Sequence, residues 1–63
     1  MKPGFMKRIA DELLKEHGDS FTENFEDNKL LVEKFTNINS KLVRNRIAGY
    51  ITKIKSDEKS QII

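Results

Sequence analysis

Cysteine is absent from this 63-residue chain, so neither a disulfide nor a thiolate metal site can hold it together. Histidine occurs once, at position 17, and a single imidazole leaves little for a metal to bind. No apolar run approaches the ~20 residues that a membrane span requires. The first residues do not read as a secretory leader, because Lys7, Arg8, Asp11 and Glu12 break the apolar stretch such a leader needs. There is no nucleophile–base pair, no glycine-rich phosphate loop and no cluster of ligating side chains. The expectation is a soluble, cytoplasmic protein without enzymatic activity, cofactor or metal. The lack of thiols suits a reducing compartment.

A chain of this length forms one domain and buries only about 60% of the surface its unfolded form exposes. Without disulfides or a metal, its stability has to come from a compact core, supplemented by whatever partner it meets.

The formal net charge is only +2, but the charges are unevenly distributed. Residues 18–34 carry Asp19, Glu23, Glu26, Asp27 and Glu33 against Lys29 and Lys34. Residues 41–55 carry Lys41, Arg44, Arg46, Lys53 and Lys55 and no acid at all. Such asymmetry points to one surface that faces a polyanion and another that faces away from it.

The apolar spacing predicts an all-α protein, a compact three-helix bundle with helices over about 4–17, 25–35 and 40–56. In the first helix, Phe5, Ile9 and Leu13 recur every four residues, joined by Met6, Ala10 and Leu14. Pro3 suits the entry. Gly18 suits a left-handed exit, and His17 suits the last turn, where a cation favours the dipole. Thr22 is a candidate cap for the second helix. Leu31, Val32 and Phe35 are its core face, with Leu30 partly so, and the acids Glu23, Glu26 and Asp27 lie at its favourable end. Ser40 is placed to cap the third helix. Residues 1–56 then form the single domain, and residues 57–63 are expected to be a flexible, frayed tail.

On a helical projection of residues 41–56, Val43, Ile47, Tyr50, Ile51 and Ile54 share one arc, which is expected to be buried. The opposite arc carries the cations on either side of a strip of small or short polar residues, Asn45, Ala48, Gly49 and Thr52. Long cations can reach phosphates while small residues let a sugar–phosphate backbone approach. A glycine inside a helix costs about 1 kcal/mol relative to alanine. Gly49 therefore admits either another molecule's backbone or a neighbouring helix or aromatic of the same protein. Tyr50 is expected to pack in the core with its hydroxyl hydrogen-bonded at the edge; base stacking is the other reading. Lys7 and Arg8 extend the basic surface or stay solvated. Three helices with a basic third one also fit a helix-turn-helix-like DNA-binding protein. Leu30, Leu42 and the Ile62–Ile63 pair offer an apolar patch for a protein partner.

The run Ser40-Lys41-Leu42-Val43-Arg44-Asn45-Arg46-Ile47-Ala48-Gly49-Tyr50-Ile51-Thr52 resembles the signature of the archaeal and eukaryotic S-seventeen family of small-subunit ribosomal proteins. Arg44 through Tyr50 is its most specific part. Phe21-Thr22 followed by Phe25-Glu26 and Asn28-Lys29 agrees in order and spacing, as does Phe5 through Ile9 with its Lys7-Arg8 pair. The resemblance spans about residues 5–55 and is to the short archaeal form, not to the bacterial β-barrel protein of the same number. It implies a structural constituent of the small ribosomal subunit, bound to ribosomal RNA and neighbouring ribosomal proteins, with no membrane partner and a monomeric isolated state. The RNA-contacting residues it implies, taken with the basic third helix, are Lys7, Arg8, Lys41, Arg44, Asn45, Arg46, Gly49, Lys53 and Lys55. The family usually carries a cation at the position of Leu42, so the remaining basic residues would have to carry that contact.

Overall fold

The computed structural model describes residues 4–60, with the backbone alone for 59 and 60. The architecture is all-α: helix α1 spans Phe5–His17, a single 3-10 turn covers Gly18–Ser20, α2 spans Phe25–Phe35 and α3 spans Lys41–Ser60. This is the three-helix bundle expected from the apolar spacing. Helix α3 is its centre, because α1 and α2 both pack against it. None of these helices is long and apolar enough to cross a membrane.

The core collects Ala10 and Leu13 from α1, Phe21 from the connection, Val32 from α2, and Val43, Ile47, Ala48 and Ile51 from α3. Met6, Ile9, Leu14, Leu31, Phe35 and Ile38 close over it. Fully burying a side chain such as Val32, Ile47 or Ile51 contributes about 1.5–3 kcal/mol. On α1 and α2, two residues expected on core faces lie outside. Phe5 sits one step off the Met6–Ala10–Leu13 line and stays exposed, and Leu30 is 62% exposed on the outer side of α2. At the far end of α1, the His17 ring stacks on Phe35 with centroids 3.9 Å apart and planes within 6°. Phe21 meets the same Phe35 ring edge-on at 6.0 Å. The work of His17 is thus packing that joins the end of α1 to the end of α2.

The helix ends refine the sequence reading. Gly18 is not a left-handed exit: its φ of −53° and ψ of −35° are helical, and no residue among those described has positive φ. The chain tightens into the 3-10 turn, which the Phe21 N–H closes on the Gly18 carbonyl at 3.3 Å. An added Cβ at Gly18 would meet only the tip of Lys55, 4.0 Å away. Gly18→Ala is therefore expected to stabilise the protein by about 0.4–1 kcal/mol, by restricting the unfolded chain, and thermal unfolding would read this as a raised Tm.

The cap of α2 is Asn24, whose side chain accepts the Asp27 N–H at 3.2 Å; the Thr22 hydroxyl accepts the Asn24 N–H one step earlier. Ser40 does cap α3, its hydroxyl accepting the Val43 N–H at 3.3 Å. Helix α3 continues four residues beyond Ser56. The apolar pattern stops at Ile54, but no glycine or proline follows to end the helix, and Lys55 pairs with Glu58 one turn on at 3.8 Å. Pro3 at the helix entry and the Ile62–Ile63 pair lie outside the described residues.

Asn28 is wholly buried. Its Oδ1 accepts the Thr22 N–H at 2.9 Å, while Nδ2 donates to the Thr22 carbonyl at 2.6 Å and to the Thr52 hydroxyl at 2.8 Å. Thr52 in turn donates to the Ala48 carbonyl at 2.7 Å. One amide thus ties the α1–α2 connection, α2 and α3 together, and each of its polar atoms has a partner, as burial demands.

Candidate nucleic-acid interface

Because α3 is covered from two sides, its buried arc is wide and turned toward Arg44 and Lys55. Ala48, expected on an outer strip, is fully buried, and Thr52 faces Asn28. Asn45 is half-buried, with an enclosed Oδ1 that finds no hydrogen-bond partner among the described residues. The strip of small residues is therefore part of the packing, with the exception of Gly49.

What stays open is a narrower seam. Arg46, Gly49, Tyr50 and Lys53 line a shallow groove along α3. Arg46 and Lys53 lie one turn to either side of the Gly49–Tyr50 step, so their side chains project from the same face. Leu42, one turn before Arg46, is exposed on this face as well. Tyr50 corrects the expectation that it closes the core: the residue is 40% exposed. The arc drawn from sequence put Tyr50 beside Val43 and Ile54, whereas the two-sided packing of α3 moves the centre of burial to Ile51 and leaves Tyr50 outside. Its angular position at the margin of the apolar arc was the one signal of this in the sequence.

The nine residues expected to contact RNA are not brought to one place. Arg46, Gly49 and Lys53 come together in the seam. Lys41 is exposed at the start of the same helix, and Lys41, Arg46 and Lys53 make no ion pair among the described residues. Arg44 and Lys55 are turned away: the Arg44 guanidinium lies 3.6 Å from Glu33 on α2, and the Lys55 ammonium lies 3.8 Å from Glu58. Lys7 and Arg8 are exposed on α1 and do not line the groove; Arg8 lies 3.9 Å from Glu12, both side chains open to solvent. Asn45 takes no place in the seam.

At Gly49 the structure bears on one of the two readings that its sequence position posed, that of internal packing. A Cβ added there would meet nothing within 4 Å. Among the described residues beyond its chain neighbours, no helix or aromatic needs the missing side chain, so the glycine opens outward. Among the described residues no three His, Asp or Glu side chains gather as a metal ion would require.

The site is thus one open face of the central helix of a small helical domain, and it presents cations, a glycine and an aromatic ring. A family model described as Ribosomal S17, that of the S17e family, matches residues 2–61, and the chain belongs to this family. It is 49% identical over 53 residues to the small ribosomal subunit protein eS17 of Methanocorpusculum labreanum, covering 84% of this chain and 83% of the relative. It is 44% identical over 61 residues to the proteins of the same name from Pyrobaculum arsenaticum and Pyrobaculum neutrophilum, covering 97% of this chain and 86% of each relative. The resemblance carried by the residue 40–52 run is thereby established, and with it a ribosomal structural protein rather than an enzyme.

Proposed function

We propose that the protein is built into the small subunit of the cytoplasmic ribosome and holds ribosomal RNA through the Arg46–Gly49–Lys53 seam of α3. The observation that carries this reading is the outward-facing glycine between two cations that have no ion-pair partner among the described residues. A glycine that serves no internal packing lets a sugar–phosphate backbone come against the helix, and Arg46 and Lys53 reach its phosphates from either side. Lys41 adds charge at the positive end of the helix dipole, and Lys7 with Arg8 supplies a second patch on α1. Arg44 and Lys55 contribute less, because each is largely covered and already has an acidic neighbour, whereas Arg8 is open to solvent beside Glu12. Recognition is by backbone and shape, which needs no base-specific reading. The family favours RNA over the DNA alternative that three helices alone allow. Neighbouring ribosomal proteins meet the other faces, and the isolated protein is a monomer.

Binding of the full chain to small-subunit ribosomal RNA, measured against salt concentration, tests the seam. Each lost phosphate contact lowers the salt slope by about 0.7–0.9. Replacing both Arg46 and Lys53 by alanine is expected to lower it by about 1.5 and weaken binding across RNA sequences. Arg44→Ala is expected to change the slope little and to cost under about 1 kcal/mol of stability through the lost Glu33 pair. An unchanged slope in the double variant would place the RNA contact elsewhere.

A further inference from the structure

Tyr50 stands out on the open seam because nothing among the described residues accounts for its position. It is a large aromatic residue left 40% exposed. It stacks on no other aromatic, and its hydroxyl makes no hydrogen bond among the described residues. The residue before it is Gly49, whose missing side chain leaves free space beside the ring. Arg46 and Lys53 share the same groove, one turn behind and one turn ahead. Side chains at this spacing start roughly 5–6 Å apart, so both cations reach the surroundings of whatever lies on the ring.

We propose that Tyr50 is a stacking platform for a single unpaired base of the bound RNA, with Arg46 and Lys53 on the phosphates that flank this nucleotide. The inference rests on the RNA-binding reading of the seam and deepens it. A seam that met only a duplex backbone would have use for the cations and the glycine, but none for a tyrosine ring turned outward beside them. A base laid on the ring covers apolar surface that water now meets. The ring accepts any base, because every base has a π-face, so the site selects an unpaired, splayed nucleotide and not a sequence. The cations then hold the chain on either side, and the open space over Gly49 receives the sugar.

Two experiments test this and separate it from the reading beneath it. The first irradiates small subunits isolated from the organism's own cells with ultraviolet light and maps nucleotide adducts on this protein by mass spectrometry. An adduct on Tyr50 is expected. Adducts elsewhere on α3 but none on Tyr50 would overturn the stacking and leave the RNA contact standing; no adduct on α3 at all would count against both. The second compares Tyr50→Phe with Tyr50→Leu in binding to small-subunit ribosomal RNA, alongside Arg46→Ala. Phenylalanine keeps the ring and is expected to retain affinity within about twofold, while leucine is expected to lose about 5- to 150-fold. Neither changes the salt slope, because neither removes a charge, whereas Arg46→Ala lowers it. Thermal unfolding of the leucine variant checks that the fold is intact. If leucine binds as tightly as tyrosine while Arg46→Ala still lowers the slope, the stack is absent. If the leucine variant keeps its RNA affinity but loses a neighbouring protein from the assembled subunit, the ring serves a protein contact and the proposal falls.

Discussion

Asn28→Ala is expected to remove a large part of the protein's stability. A domain of this length has about 3–9 kcal/mol to lose. The substitution deletes three hydrogen bonds, to the Thr22 N–H, the Thr22 carbonyl and the Thr52 hydroxyl. Each is worth about 1 kcal/mol net, and a partner left unpaired inside costs a further ~1–3 kcal/mol. Thr22 is at the surface and can recover water, so its share is the smaller. A loss of about 3–4 kcal/mol follows, which matches the lower end of that margin. Asn28→Asp keeps the size but replaces the donating amide with oxygens that face the Thr22 carbonyl, and brings a carboxylate into a fully buried site. It is expected to be no better tolerated than alanine. Thr52→Val is the milder partner: it leaves one amide hydrogen of Asn28 without an acceptor and is expected to cost about 1–2 kcal/mol. Denaturant unfolding of the two single variants and the double variant gives the coupling between Asn28 and Thr52, expected to lie within about 0.5–3 kcal/mol. Additive losses would mean that Asn28 acts only through the Thr22 connection.

Asn28 also shows where reading from the sequence stops. The periodicity of Val43, Ile47 and Ile51 identifies a buried face because apolar side chains announce themselves. A buried asparagine does the reverse: it stands on the inner side of α2 and looks like a surface residue. Its burial is paid for by partners 6 and 24 residues away, which no local pattern can reveal. The two helical glycines differ in a similar way. Gly18 had the look of a left-handed exit, but whether a helix ends in such a turn or tightens into a 3-10 turn depends on where Phe21 must go to reach the core.

The breadth of a buried arc is equally non-local. A helical projection gives the angular order of residues, not how many neighbours the helix has. Helix α3 has two, so Ala48 and Thr52 go inward while Tyr50 remains outside. The Arg44–Tyr50 run is therefore a composite in which inward and outward roles interleave. Ile47 and Ala48 are packing, Arg44 is held by Glu33, and Arg46, Gly49 and Tyr50 form the open face. The basic character of residues 41–55 was plain from their lack of acids. Which cations remain available was not, since Glu33 lies on another helix.

Gly49 gives the sharpest separation of fold from function, because its substitution should move the two in opposite directions. With open space around an added Cβ and helical neighbours on both sides, Gly49→Ala is expected to stabilise the free protein by about 1 kcal/mol. Gly49→Leu, with nearly the same helix propensity and room for its side chain outside, is expected to stabilise it by a similar amount. A glycine kept for internal packing would give losses instead. On the RNA side the order reverses. A methyl group narrows the approach to α3, and a leucine side chain fills the space between Arg46 and Lys53 and overhangs Tyr50. Binding of Gly49→Leu to small-subunit ribosomal RNA is expected to fall at least about tenfold, a change of about 1.4 kcal/mol. Alanine should lie between leucine and glycine. The salt slope should fall only if the cations lose their phosphates, so a weaker complex with an unchanged slope would mean that the obstruction acts on the sugar and base and not on the charges. Raised Tm together with lost RNA affinity would establish that this glycine is retained at a cost to the fold for the sake of the surface it opens. Raised Tm with undiminished affinity would show that no RNA backbone comes against the helix there.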